Sequence, residues 1–319
     1  MNLIAILIAL GLEQWRAFRW RGGVQKLFGR YARFLERRFN DGTEQQGALS
    51  AALALGPLVA IAAAGYWALD TVHPVLGLAW NVAILYLLVG FRHFSHAFTA
   101  IGGALRAGDA ITARKRLAAW RGADSSAAPA EEIPKLAIEQ GIEDSYRHVF
   151  GTLFWFLVLP GPAGAVLYRL TVLLAGQWQG VAVTPMGHQL ASFGQPVQRL
   201  LYWLDWIPVR LTALTFAVVG DFEDAVYCWR VQARQWPSIH DGILLASGAG
   251  ALGIRVGGIM TDSTGEPEFR PELGIGEPAD IDVLPGAIGL VWRALLVWVA
   301  VLLLLTVAYW APGGTLGAS

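Results

Sequence analysis

Charge is scarce in this chain. Of its 319 residues only 15% are Asp, Glu, Lys or Arg, against about 25% in an average soluble domain. The 24 basic side chains are matched by 24 acidic ones. Without a basic excess there is no electrostatic footprint for phosphate backbones, which argues against nucleic acid as a partner. Cysteine is nearly absent: Cys228 stands alone, which rules out an intramolecular disulfide framework and any multi-cysteine metal site within one chain. No internal repeat is evident. The opening apolar run, residues 3–12, has neither a positive segment before it nor a small-residue cleavage site after it, where Glu13-Gln14-Trp15-Arg16 follows. It reads as a short retained helix or half-span, not as a signal peptide.

What the chain has in excess is apolar surface. Hydrophobic residues make up 55%, tryptophan contributes 14 positions, and mean hydropathy is +0.46. These residues fall in blocks, so a membrane protein is expected in place of two soluble domains. Residues 48–69 and 287–310 are each long enough for a hydrocarbon core that takes about 20 residues. Residues 76–91 are slightly short, with Trp80, Tyr86 and Phe91 placed to extend them into the interfaces. Residues 207–220 are also short and follow the aromatic cluster Tyr202, Trp203 and Trp206. Residues 150–175 are long but interrupted by Pro160-Gly161-Pro162. The interruption reads as a kink, because no partner break occurs in a second repeat. The alternative is a re-entrant or discontinuous helix lining a cavity. The expected fold is an all-α polytopic membrane protein, a single domain over residues 1–319, with five to six membrane-embedded helices, cytoplasmic amphipathic helices and an irregular loop.

The few charges are unevenly placed. Eight basic residues lie between the first apolar run and residue 48, and eight more between Arg92 and His148. By the positive-inside rule both segments face the cytoplasm. Six crossings then put both termini outside and return the acidic stretch 221–286, with Arg only at 230, 234, 255 and 270, to the cytoplasm. Residues 236–286 are expected to form an irregular Gly/Pro/acidic loop. In the basic segment 15–47, Trp, Phe and Arg mix at helical spacing, as in an interfacial helix with its basic face toward anionic lipid heads. The small residues 62–65 suit close helix contacts, either with a second subunit or within one chain.

Three local patterns bear on chemistry. His93 and His96 are spaced as two metal ligands on one helical face. No acidic residue or third histidine lies close in sequence, so an interfacial hydrogen-bonding role is expected. Ser247-Gly248-Ala249-Gly250-Ala251-Leu252-Gly253 contains G-x-G-x-x-G. It lacks the strand–helix–strand setting of a dinucleotide site and reads as close packing or a tight loop. Residues 131–148 look helical after Pro134, with Glu139, Glu143 and Arg147 stacked at i, i+4, i+8 beside Asp144 and His148. Such a ladder is either a self-satisfied solvated face or a charged cluster at the membrane mouth, and both readings stay open.

Several stretches, taken in order, resemble the CobD/CbiB family. They are Gly108-Asp109-Ala110-Ile111-Thr112-Ala113-Arg114, Ala137-Ile138-Glu139 through Leu153-Phe154-Trp155-Phe156, Tyr168-Arg169, Asp205-Trp206-Ile207-Pro208-Val209-Arg210-Leu211, and Gly250-Ala251-Leu252-Gly253-Ile254-Arg255-Val256-Gly257-Gly258. The similarity runs from about residue 95 to 300, with a looser match at the N-terminus. The resemblance implies an integral membrane cobinamide-phosphate synthase of the cobalamin pathway, joining cobyric acid to an aminopropanol group by ATP-dependent amide ligation. The run from Leu204 to Leu211 looks especially like AmpE, a divergent relative linked to β-lactamase regulation.

Departures from the ligase pattern fall on oxygen-bearing positions. Where the ligases continue Glu-Asn-Thr-Ser-Asp-Gly, this chain reads Glu143-Asp144-Ser145-Tyr146-Arg147-His148. Val172 and Ala175 replace an Asn and an Asp, Leu201 and Tyr202 replace paired Asp residues, and Ser238-Ile239-His240 falls near the ligases' Ser-Pro-Asn. The ligases' histidine-proline motif after the first helix is missing. ATP-dependent ligation needs Mg²⁺ on hard oxygens, and an arginine at that point would repel it. The expectation is therefore an AmpE-like, multi-pass inner-membrane protein of this superfamily that binds a ligand or partner without ligating it. Glu139, Glu143, Arg147, Arg169, Asp205, Arg210 and Arg255 are its candidate binding residues. No metal ligand is assigned. Mg²⁺ and ATP belong to the alternative, a true cobinamide-phosphate synthase using Glu139, Glu143 and Asp144, and a transporter built on residues 150–175 is a third reading. Expected partners are the lipid bilayer, a corrinoid or other anionic small molecule, and a membrane-protein partner or second copy.

Overall fold

The computed structural model describes residues 2–15, 21–122, 125, 127–179, 190–261 and 265–310. In chain order the helices are α1 (Asn2–Trp15), α2 (Arg21–Phe39), α3 (Glu44–Val72), α4 (Pro74–Leu88), α5 (Phe91–Arg106), α6 (Ala110–Arg121), α7 (Glu132–Ser145), α8 (Gly151–Val158), α9 (Ala163–Gln177), α10 (Leu190–Val219), α11 (Phe222–Gln232), α12 (Ile239–Leu252) and α13 (Leu284–Trp310). Strands β1 (Ile254–Thr261), β2 (Pro267–Gly274) and β3 (Glu277–Pro278) lie between the last two, and a π-helical turn, Tyr146–Phe150, joins α7 directly to α8. The chain divides into two compact units, Met1–Arg92 with Arg147–Pro208 and His93–Tyr146 with Val209–Ser319.

In the first unit, Thr43 starts α3 by accepting from the Gln46 amide, the usual role of a hydroxyl at a helix N-terminus. His73 then ends α3 and begins α4: its amide donates to the Leu69 carbonyl, and its Nδ1 accepts from the Val75 amide at 3.2 Å. Pro74 follows at the position where a helix needs no amide donor. The two helices pack closely because Gly65 leaves space for the Trp80 ring, whose indole donates to the Ala62 carbonyl at 3.0 Å. Residues 62–65 are thus used, at least in part, within the chain. Along α2, Phe28, Ala32 and Leu35 are buried against a core that includes Leu55, Leu174, Trp178 and Phe193. Lys26, Arg30, Arg33 and Arg37 stay exposed.

Residues 150–175 do not form a kinked span. α8 stops at Val158, Gly161 takes a left-handed φ of +62°, and α9 returns alongside α8. Gly164 faces the Trp155 carbonyl, and Gly151 faces the Tyr168 ring, with no room for a Cβ at either position. The two prolines bracket the one residue type free to reverse the backbone, so the break is a helical hairpin, the discontinuous alternative. Its return arm has 15 residues, about 22 Å at 1.5 Å each, which is short of a hydrocarbon core of roughly 30 Å.

In the second unit the expected irregular loop at 236–286 is replaced by a buried helix and a small sheet. Ser238 accepts from the Asp241 amide to open α12, and Gly253, at φ +65°, closes it. Within α12, Gly248 packs on Ile142 and Gly250 on the backbone of Asp224 and Ala225. Of the two readings of these glycines, close packing therefore holds for Gly248 and Gly250, and no dinucleotide-type strand precedes them. The sheet has order β2-β1-β3, with β1 antiparallel to β2 and parallel to β3, and a bulge lies between Val256 and Gly258. The fold is all-α as expected, with this small sheet standing in the segment expected as an irregular loop. The expected short span at 207–220 is the end of the 30-residue α10, and residues 76–91 correspond to α4, which ends at Leu88.

Two helices, Glu44–Val72 and Ile281–Ala308, are long and apolar enough to cross a membrane. They leave Leu53, Ile61, Trp67, Leu296, Leu304 and Val307 exposed, which is compatible with a membrane protein and would be an aggregation liability in water. Four shorter apolar helices accompany them, of which Ile239–Leu252 is almost wholly buried.

Candidate functional site

Each unit buries one cluster of polar and charged side chains. In the second unit α7 meets the sheet through Glu139, which is 4% exposed. One carboxylate oxygen accepts from the Gly257 amide at 3.0 Å and the other from Arg270 Nη1 at 2.9 Å. Gly257 is available because it sits in the bulge, at φ +74°, where a residue leaves the ladder. Arg270 also lies over the Trp236 ring, 4.7 Å from its centroid, a cation–π contact. Burial pushes the Glu139 carboxyl above its ordinary pKa, while Arg270, the Gly257 amide and Arg121 pull it back only in part. Arg121, at the end of α6, is lowered chiefly by its own burial, with Glu139 and Glu143 acting in the opposite sense. Two turns before Glu139, Glu132 accepts from the Thr261 amide at 2.8 Å and its hydroxyl at 2.9 Å, clamping α7 to the end of β1.

In the first unit the π turn organises the second cluster. A π turn interrupts the i→i−4 ladder and releases a carbonyl for other partners. The Arg147 carbonyl, in this turn, accepts from Arg169 Nη1 at 3.1 Å and from Thr152 Oγ1 at 3.1 Å. Arg169 is 3% exposed, and its Nη2 lies 3.5 Å from His148 Nε2. Beside it, Tyr168 donates to Asp205 at 2.9 Å, and Trp155 donates to the Leu204 carbonyl at 3.0 Å. A buried guanidinium, phenol and carboxylate with a half-buried imidazole form a set able to hold an anion and move a proton.

The candidate residues therefore separate. Arg147, Arg169 and Asp205 share the first unit's cluster, Arg147 through its main chain. Glu139 lies in the second unit's cluster, where Glu143 acts on Arg121. Arg210 stands near enough to His240 to help lower its pKa, after the larger effect of burial. Arg255 belongs to neither cluster: partly exposed, it donates to the Gly276 carbonyl at 2.8 Å and pairs with Glu272 at 3.5 Å. Within the predicted i, i+4, i+8 ladder, Glu139 turns instead to the sheet, Asp144 accepts from Trp120 at 2.6 Å and Gln140 at 3.0 Å, and Arg147 and His148 lie in the π turn. Sequence reasoning missed Arg121, Trp236 and Arg270, since Arg270 lay in what read as a loop. The His93 side chain, half of the His93–His96 pair, lies outside the described residues.

The metal set of the ligase alternative can be tested against this geometry. Both oxygens of Glu139 and both of Asp144 are engaged by protein donors. Among the described residues no three His, Cys, Asp or Glu side chains converge. Neither Glu139 nor Asp144 is open to a metal in this arrangement.

Two helices long and apolar enough to cross a membrane, an ion pair buried against a small sheet, and a polar cluster around a π turn describe a helical protein with interior polar sites, compatible with a membrane setting. The chain belongs to the CobD/CbiB family: the family described as CobD/Cbib protein matches residues 6–291. It is 36% identical over 283 residues to a cobalamin biosynthesis protein CobD of Stutzerimonas stutzeri, covering 86% of this chain and 88% of the relative. A protein of the same name from Chromobacterium violaceum is 36% identical over 255 residues, covering 80% and 78%. One from Mycobacterium tuberculosis is 27% identical over 278 residues, covering 84% of each. No solved structure gives a significant match. The substitutions at Arg147, Val172, Ala175, Leu201 and Tyr202 have not separated the chain from relatives named for cobalamin biosynthesis. These matches favour the enzyme alternative over the expected AmpE-like, non-ligating reading.

Proposed function

We propose that this chain is a multi-pass inner-membrane enzyme of cobalamin biosynthesis, forming an amide between a corrinoid carboxylate and an aminopropanol phosphate amine, coupled to ATP. The reading is carried by the 36% identity that extends over 88% of a relative named cobalamin biosynthesis protein CobD. The buried clusters suit the chemistry. As an amide forms, the carbonyl oxygen gathers negative charge and the amine gives up a proton. A guanidinium stabilises the first and an imidazole accepts the second. Arg169 and His148, 3.5 Å apart, are the pair assigned these roles. When bound, ATP would activate the carboxylate. Arg270, held by Glu139 and Trp236, and Arg121 offer further positive charge to anionic substrates.

Purified protein incubated with cobyric acid, aminopropanol phosphate and Mg-ATP tests the proposal, with the Stutzerimonas stutzeri relative as control. Amide product by mass spectrometry is expected. Product from the control alone would overturn the proposal. A second reading, ligand binding without ligation, draws support from the engaged oxygens of Glu139 and Asp144. It predicts corrinoid binding with no product in the same tubes.

A further inference from the structure

Within the second unit, the α5–α6 turn, the first turn of α7 and the short turn Ile281–Val283 border a cavity of about 710 Å³. Its lining includes Arg106, Lys135, Glu131, Asp282, Ile259 and Ile281. This cavity is separate from the Glu139–Arg270 pair, and no residue given a role in the ligase reading lines it. Four of its charged side chains are unengaged: Arg106, Lys135, Glu131 and Asp282 make no hydrogen bond or ion pair with the described residues. Their neighbour Glu132 is committed to Thr261, and Asp280 to the amides of Asp282 and Val283. α7 also begins without a side-chain cap.

The lining selects for a ligand of mixed character. A simple anion would meet two carboxylates and a simple cation would meet Arg106 and Lys135, while a neutral molecule would gain nothing from four charged side chains of which Arg106, Glu131 and Asp282 are exposed to solvent. A phosphate chain carrying a divalent cation matches both signs, since Arg and Lys take phosphate oxygens and carboxylates take the metal or its waters. The volume falls in the range of about 300–1,000 Å³ typical of sites for molecules larger than inorganic phosphate, and such sites carry apolar walls. Ile259 and Ile281 supply that wall for a heterocycle. We propose that this cavity binds a nucleoside polyphosphate with its magnesium ion, with Arg106 and Lys135 on the phosphates and Glu131 and Asp282 on the metal side. The inference deepens the ligase reading and rests on it for the nucleotide's role.

The test is equilibrium binding of labelled ATP to the full chain in detergent, with and without Mg²⁺, and with no corrinoid or amine present. Saturable, Mg²⁺-dependent binding is expected. Arg106→Ala with Lys135→Ala should weaken it at least about tenfold, and Arg106→Lys with Lys135→Arg should keep it within roughly threefold, because both pairs of cations bind phosphate. Glu131→Gln with Asp282→Asn should remove the Mg²⁺ enhancement. None of these side chains makes a hydrogen bond or ion pair with the described residues, so the variants are expected to fold. The proposal is overturned by absence of saturable binding at millimolar ATP, by wild-type affinity in the double alanine variant, or by inorganic phosphate competing as well as ATP. Nucleotide binding that needs Arg106 and Lys135, without amide product, would leave the site standing and remove the ligase reading. Amide product with an unchanged KM for ATP in the double alanine variant would do the reverse.

Discussion

Arg270 on β2 donates to Glu139 on α7 at 2.9 Å, joining residues 131 positions apart in the chain. The bond forms between a carboxylate that is 4% exposed and a guanidinium also held over Trp236. Two charges taken from water stabilise little by themselves, but removing one strands the other. The pair therefore makes the packing of α7 on the sheet conditional on both residues.

Arg270→Ala should lower unfolding stability by about 3–5 kcal/mol, the usual cost of leaving a buried charge without its partner. Glu139→Gln combined with Arg270→Met leaves no such charge and should cost less than Arg270→Ala alone. Denaturant unfolding in detergent measures both. Equal losses would mean that the stranded carboxylate is not the source of the cost.

The same carboxylate makes stability depend on pH. Burial raises the Glu139 pKa above the ordinary 4.5. Between that value and the raised native one, the folded chain keeps a proton that the unfolded chain has released. Its contribution is thus full below the ordinary value and declines as pH rises through the window. Glu139→Gln carries no titrating proton there. The Tm of wild type minus that of Glu139→Gln should fall as pH rises above 4.5 and then level off. A flat difference would contradict the assigned direction.

How much of this was legible follows from which signals are local. The long apolar α3 and α13 were readable because length and composition alone identify them. Glu139, Arg169 and Asp205 were readable as candidates because they sit in motifs. Arg270 was not, since its partner lies in a helix far away in sequence and its own strand is rich in Gly, Pro and acids. α12 was misread for a related reason: its glycines carry a loop signal, yet they are where neighbouring backbones approach. The π turn has no sequence signature at this level, and without it the Glu139, Glu143, Arg147 spacing predicts a ladder.

Arg169 and Tyr168 are neighbours in sequence with different predicted roles. Under the ligase reading Arg169→Ala should reduce kcat/KM by roughly 10²–10³-fold, the effect of deleting one preorganised donor to developing charge. Tyr168→Phe removes a buried donor to Asp205 and should cost about 1–3 kcal/mol of stability, with a smaller effect on rate. Steady-state kinetics beside thermal unfolding separates the two. A reversed pattern would move the reacting centre toward Asp205.

The hairpin can be tested with two glycines on the same arm. A methyl at Gly164 would collide with the Trp155 carbonyl, whereas one at Gly176 meets nothing within 4 Å. Gly164→Ala should destabilise by about 1–3 kcal/mol through overpacking. Gly176→Ala should be neutral or stabilise by up to about 1 kcal/mol, since Ala is the better helix former. If α8 and α9 were one kinked span, the two substitutions would behave alike.

Cys228 makes the membrane topology accessible to experiment without prior removal of a native thiol. It is fully buried, and burial pushes its pKa up to about 11, so almost no reactive thiolate is present at neutral pH. A membrane-impermeant maleimide should leave the wild-type chain unlabelled until it is denatured. Cysteines introduced as Gln45→Cys and Thr71→Cys occupy exposed sites near opposite ends of the 29-residue α3. At about 1.5 Å per residue that helix exceeds a hydrocarbon core of roughly 30 Å. If α3 crosses the membrane, the basic residues of α2 predict a cytoplasmic Gln45 end by the positive-inside rule. Gln45→Cys should therefore label in inverted vesicles and Thr71→Cys in spheroplasts. Labelling of both from one side would show that α3 does not cross the membrane, and the exposed Leu53, Ile61 and Trp67 would then require a protein partner in place of lipid.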